Sequence, residues 1–94
     1  MPLDLAKAGT VTSVDVRPDY VVAKAVTEST IEATYGSFPD VLRDAGFEIA
    51  AEENEGIEAD IFFAKGTDAT GSVKFTEGPC QGQVTITLTI ADTA

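Results

Sequence analysis

The stretch that decides the fold is VTITLTI, residues 84–90, in which apolar side chains alternate strictly with threonines. Successive side chains of a β-strand point to opposite faces of a sheet. The apolar members would therefore share one face, formed by Val84, Ile86, Leu88 and Ile90. The segment predicts a strand with one dry face and one hydroxylated, solvated face, as in an antiparallel sheet.

Strand-like alternation also precedes this segment, as far back as Phe47. Residues 47–51, residues 57–65 and the segment around Val73 and Phe75 predict strands, separated by polar turns at 53–56, 66–70 and 78–82. Such short connections join antiparallel neighbours. The last four strands are therefore predicted to form a meander.

Two earlier strands and one helical region complete the pattern. Residues 10–16 and 20–27 are rich in valine and threonine and flank the turn residues Arg17-Pro18-Asp19, which predicts a β-hairpin. Helical spacings of four and three then relate Ile31, Tyr35, Phe38, Leu42 and Ala45. The order is thus β-β-α-β-β-β-β.

The ends of the helical region carry recognisable signals. Ser29 and Glu32 have the spacing of a capping box, and Gly46 stands where a C-cap glycine belongs. A proline inside a helix costs about 3 kcal/mol, so Pro39 predicts either a short helix followed by a longer one or a single helix kinked near residues 36–39. Residues 39–45 are predicted to be helical under either alternative.

These elements predict one α+β domain over residues 1–94, with the helical region packed on one face of an antiparallel sheet. Leu42, Ile86 and Leu88, with Ile31 or Tyr35, are the expected core. Residues 1–9 are expected to form an extended lead-in and residues 91–94 a short tail.

The composition sets aside many functions. The chain has no histidine, and 16 acidic residues against 6 basic ones give a net charge of −10. Without histidine, Ser-His and Cys-His pairs and most zinc sites lack their base or ligand. The scattered lysines and arginines form no stripe for phosphates, so we expect no direct nucleic-acid binding. No apolar run approaches the roughly 18 residues of a membrane span, so we expect no membrane insertion of this domain.

The densest charge cluster comprises Glu52, Glu53, Glu55, Glu58 and Asp60. Carboxylates bind Ca²⁺, but this spacing is not that of an EF-hand loop, and Gly56 suits a hairpin turn. We therefore expect a solvated hairpin tip, with no metal or cofactor. Phe62 and Phe63 are adjacent and must face opposite sides of a strand, so one of them is expected in the core. The acidic cluster and Phe62 are the candidate interaction surface, although neighbouring lysine and threonine stems are an equally good cover for the exposed ring.

Cys80 is the single cysteine and lies in a predicted turn, where exposure is expected. We expect a monomer under reducing conditions and a disulfide dimer through Cys80 on oxidation. If residues 83–90 form an edge strand, they lack the charges that usually prevent strand pairing.

Four features of the sequence resemble those of other proteins: TVTSV at 10–14, the helical FPDVLRDAGF at 38–47, the turn cysteine Cys80 and the last strand, in which threonines alternate with apolar residues. Together they resemble small lipid-anchored or secreted domains of actinobacteria and their relatives, mostly of unknown function. The resemblance implies an extracytoplasmic accessory domain and supplies no catalytic residues. The chain differs from that pattern because it shows neither a signal sequence nor a lipobox cysteine, which fits either a cytoplasmic protein or one trimmed of its signal.

Two functional hypotheses remain. The first is a non-enzymatic accessory or interaction domain that binds another protein through its sheet face or an edge strand. The alternative is an acidic inhibitor that imitates nucleic acid and blocks a DNA- or RNA-handling enzyme, since arrays of carboxylates can imitate phosphates. Enzymatic activity, hydrolysis in particular, is not expected.

Overall fold

A computed structural model describes residues 9–92 as one antiparallel sheet and one helix. The elements are β1 (Thr10–Val16), β2 (Tyr20–Glu28), α1 (Ile31–Asp44), β3 (Glu48–Asn54), β4 (Glu58–Lys65), β5 (Ala69–Glu77) and β6 (Gln83–Asp92). This confirms the α+β class and the β-β-α-β-β-β-β order. The lead-in expected at residues 1–9 lies outside the described residues except for Gly9, and β6 extends two residues into the expected tail.

The six strands lie in the order β1-β2-β6-β5-β4-β3. Strands β3 to β6 form the predicted meander, and β2 pairs with β6 to join the first hairpin to it. Strand β6 therefore occupies the middle of the sheet rather than an edge. Its backbone groups are paired on both sides, so its lack of charge carries no risk of edge pairing.

Helix α1 covers one face of the sheet and contacts β3, β4 and β5. The ring centroids of Phe38 and Phe75 lie 5.3 Å apart, and those of Phe47 and Phe63 lie 5.0 Å apart. The expected core residues Leu42, Ile86 and Leu88 are fully buried, and Ile31 and Tyr35 pack partly buried against them.

The helix begins one residue later than the capping box indicated. Thr30, not Ser29, is the N-cap, because the extended backbone of Thr30 lets its Oγ1 accept the backbone N–H of Ala33 at 3.1 Å. The helix then continues through Pro39, so the alternative of two separate helices is wrong. Burial of Phe38 and Leu42, worth about 1.5–3 kcal/mol each, offsets the proline.

The end of α1 follows the prediction. Gly46 adopts a φ of +90°, its N–H donates to the carbonyl of Arg43 at 2.9 Å, and the N–H of Phe47 donates to that of Leu42 at 2.9 Å. This is a Schellman motif, which favours glycine because other residues are strained at positive φ. It turns the chain directly into β3.

Candidate functional site

One face of the sheet points away from α1, and we call it the open face. It carries the strand residues that alternate with the core, including Thr85, Thr87 and Thr89 of β6. Because every described strand belongs to the one sheet and the single helix lies on its other side, no described element covers the open face. A partner has direct access to it.

Strand register aligns the residues of the open face into rows that cross the sheet. The central row, from β2 to β3, consists of Lys24, Thr87, Lys74, Asp60 and Glu53. Two lysines thus flank a threonine at one side of the row, and two carboxylates follow at the other. This row is therefore electrostatically polarised, with its positive charge towards β2 and its negative charge towards β3.

The neighbouring row is apolar at both ends and hydroxylated in the middle. From β2 to β3 it consists of Val22, Thr89, Ser72, Phe62 and Ala51. The side chain of Phe62 is 40% exposed, whereas that of Phe63 is 2% exposed and belongs to the core. The expectation that these two rings face opposite sides is confirmed, and Phe62 is the ring on the open face.

Tyr20 adds a second aromatic ring to the open face. It begins β2, lies opposite Ala91 and is 43% exposed. Sequence reasoning did not select Tyr20, Lys24 or Lys74 as site residues. The alternation within each strand gave a signal for all three, but their alignment depends on register between strands that are far apart in the chain.

An irregularity in β3 decides where the acidic cluster points. The pairing of β3 with β4 shifts between Ile49 and Ala51, so Glu53 lies opposite Asp60 on the open face. Glu52 lies opposite Ile61 instead, on the helix side. A β-bulge inserts one unpaired residue and so exchanges the faces of all residues beyond it.

On the helix side, Glu52 contacts Tyr35. Burial raises the pKa of the Tyr35 phenol above its usual 10.0, and the negative charge of Glu52 and a hydrogen bond to that carboxylate raise it further. Glu52 thus belongs to the surroundings of the helix and not to the open face.

The tip of the β3–β4 hairpin holds Glu55. The backbone N–H of Gly56 donates to Oδ1 of Asn54 at 2.9 Å, and the N–H of Glu55 donates to the carbonyl of Glu58 at 2.9 Å. Ile57 was expected in the strand, but this turn holds it outside β4 with 82% of its surface exposed. The turn extends one residue beyond the predicted one because β3 continues to Asn54.

The six candidate residues therefore divide into three groups. Glu53, Glu58, Asp60 and Phe62 lie on the open face, Glu52 lies on the helix side and Glu55 lies in the turn. Nζ of Lys74 approaches Oε1 of Glu58 at 3.8 Å. Among residues 9–92, no three cysteine or acidic side chains are grouped as metal ligands. Four of the six residues predicted from sequence to form an interaction surface thus share one face of the sheet, and the other two do not.

A cleft of about 450 Å³ opens at the end of the sheet, between the start of α1 and two turns. Its lining includes Ile31, Glu32, Ile57, Glu77 and Gln83. The Oε1 atom of Gln83 is buried and has no hydrogen-bond partner among the described residues. The cleft combines the carboxylates of Glu32 and Glu77 with apolar side chains.

Cys80 lies exposed in the β5–β6 turn, as expected, and its thiol is free. Its carbonyl accepts the backbone N–H of Gln83 at 3.1 Å, which closes the turn. The thiol lies at the end of the sheet rather than among the rows of the open face. A disulfide dimer through Cys80 would therefore leave the open face accessible.

No protein-family model matches this sequence, and a search of the curated proteins finds no match. Within residues 9–92, no helix has both the length and the apolar character needed to cross a membrane.

Proposed function

We propose that this domain is a non-enzymatic interaction module that binds another protein chain through the open face. The observation that carries the proposal is a sheet covered on one side only, with two large aromatic rings, Tyr20 and Phe62, exposed on its other side. Aromatic residues are enriched in the cores of protein interfaces. The hydroxyl groups of β5 and β6 between them supply hydrogen-bonding groups without a strong charge.

The chemistry of the surface supports binding rather than catalysis. The chain has no histidine to act as a base near neutral pH. Its central carboxylates, Asp60 and Glu53, lie side by side on paired strands, and Lys74 is placed beside Asp60 in the same row. Such a row suits ion pairing with a complementary surface. The resemblance to extracytoplasmic accessory domains is in keeping with the same role.

The nucleic-acid mimic is the weaker alternative. A phosphate mimic needs carboxylates repeated along one surface, whereas the adjacent residues Glu52 and Glu53 point to opposite faces of the sheet. Lys24 and Lys74 also interrupt the open face with positive charge. Both features oppose binding of this domain to an enzyme surface that normally holds phosphates.

Affinity capture with matched variants tests the proposal. Thr87→Lys places a long charged side chain in the middle of the open face, and Ala33→Lys makes the same charge change at an exposed position of α1. The wild-type protein and Ala33→Lys should retain the same bound protein, whether a different chain or an untagged copy, and Thr87→Lys should lose it. Retention by Thr87→Lys, or loss with Ala33→Lys alone, would contradict binding through the open face.

A further inference from the structure

We propose that the open face binds a second copy of this chain, with the two sheets packed face to face about a two-fold axis that runs along the strands. This inference rests on the proposed function and names its partner. It departs from the monomer expected under reducing conditions. The strand order and the rows of the open face support it.

The strand order itself suits this symmetry. The middle of the sheet lies between β6 and β5, with three strands on each side. A two-fold axis along the strands at this midline reverses the strand order while it keeps each row at its own height. Strand β6 of one copy then lies over β5 of the other, β2 over β4 and β1 over β3, so every strand has a counterpart.

In the central row this arrangement matches opposite charges. Lys24 on β2 lies over Asp60 on β4 of the second copy, and the symmetry repeats the pair. Thr87 lies over Lys74 of the second copy, so the remaining lysine meets a hydroxyl group rather than another cation. Two ion pairs form across the interface without any like-charge contact in this row.

In the neighbouring row the same operation matches apolar groups and hydroxyl groups. Val22 lies over Phe62 of the second copy, which covers a ring that is 40% exposed in the single chain. Thr89 lies over Ser72 of the second copy. One row further, Tyr20 lies over Ala64, which removes the second exposed aromatic ring from water. Tyr20 and Phe62 are thus both covered by one operation.

The other face-to-face two-fold arrangement has its axis along the central row, across the strands. It places each residue of that row over its own copy, so Lys24 meets Lys24 and Asp60 meets Asp60. Like charges directly opposed are unfavourable. The register of the sheet therefore favours the axis along the strands.

The size of the surface indicates a weak association. With strands about 4.8 Å apart and alternate residues about 6.8 Å apart, six strands and three rows cover about 590 Å² per chain. The total of about 1,200 Å² is at the lower end of the range for specific interfaces. A net charge of −10 on each chain also opposes association. We expect a reversible dimer that dissociates on dilution.

Charge reversal tests the geometry. In a Cys80→Ser background, which removes disulfide dimers, Lys24→Glu sets two acids against each other, and Asp60→Lys sets two lysines against each other. Sedimentation equilibrium should show each variant dimerising at least tenfold more weakly than the background protein. An equimolar mixture of the two variants should recover the affinity, because every cross-pair then has opposite charges.

Matched controls on α1 separate this effect from net charge. Arg43→Glu and Asp40→Lys make the same changes of charge on the covered side of the sheet, where both positions are exposed. Neither should alter dimerisation, alone or mixed. Circular dichroism checks that all variants remain folded.

The outcomes separate this inference from the proposed function. The face-to-face dimer is overturned if the Cys80→Ser protein is monomeric at all concentrations. It is also overturned if mixing Lys24→Glu with Asp60→Lys fails to restore dimerisation. In either case, capture of a different chain that Thr87→Lys abolishes would leave the proposed function standing. If neither the dimer nor capture that depends on the open face is observed, both the inference and the proposed function are overturned.

Discussion

The two faces of the sheet are built from the same strands, yet they obey different constraints. On the covered face, alternate residues of β6 are buried and each contributes to the core. On the open face, no described element outside the sheet lies over the residues between them. The fold therefore requires apolar residues on the covered face and restricts the residue types of the open face much less. The two aromatic rings and the polarised row are the features of the open face that support its role in binding.

The adjacent rings of Phe63 and Phe62 allow the same substitution to be made on each face. Phe63→Ala should lower the free energy of unfolding by about 3–5 kcal/mol, because it removes a buried ring and leaves a cavity. Phe62→Ala should cost less than about 1 kcal/mol, because its ring is partly exposed. Denaturant titration of dilute protein, below the dimerisation range, measures both. Equal losses would mean that the open face is covered in the folded chain.

A second pair of neighbours sharpens the contrast at β5. A methyl group at Gly71 would lie 2.7 Å from the Phe63 ring and 2.5 Å from the carbonyl oxygen of Thr89. Gly71→Ala should therefore destabilise the protein by about 1–3 kcal/mol through overpacking. Ser72→Thr adds a methyl group on the open face and should change stability by less than about 0.5 kcal/mol. A tolerated Gly71→Ala would show that the covered face is looser than described.

The smallest effect distinguishes Glu52 from Glu53, which lie on opposite faces of the sheet. Because the folded chain raises the pKa of Tyr35, it favours the neutral phenol. That contribution to stability is fully present below pH 10 and is lost as the pH rises through the raised value. Glu52→Gln should lower the pKa of Tyr35 towards its usual range, and Glu53→Gln should not.

Spectrophotometric titration of the phenol measures this pKa in a Tyr20→Phe background, where Tyr35 is the single tyrosine. An equal response to the two substitutions would show that the two carboxylates do not lie on opposite faces of the sheet.

Local patterns in the sequence were sufficient for the covered face. The alternation of VTITLTI placed Ile86 and Leu88 in the core, and Gly46 marked the end of α1 because a positive φ favours glycine. The start of the helix was less determined, since Ser29 and Thr30 can both cap and only the backbone conformation selects Thr30. The pairing of β2 with β6 joins segments far apart in sequence, which local patterns do not specify.

The open face was predictable only in part. Phe62 followed from strict alternation, but the sequence presented the acids from Glu52 to Asp60 as one cluster. Strand alternation places Glu52 and Glu53 on opposite faces. The bulge between Ile49 and Ala51 decides which of them lies on the open face, and no residue type there announces the bulge. The alignment of Lys24 with Asp60 in one row depends on three successive strand pairings. Single-strand periodicity contains none of that information.

Chemical cross-linking tests most directly whether the open face is the binding surface. In the Cys80→Ser background, Val22→Cys and Phe62→Cys each carry one thiol on that face, and a bis-maleimide of about 10 Å spans the distance between packed sheets. A mixture of the two variants should give a cross-linked dimer of one chain of each, with little product from either alone. Two results would contradict the account. The first is cross-linking within each variant alone with no mixed dimer from the mixture, and the second is no cross-linked product at concentrations where the protein sediments as a dimer.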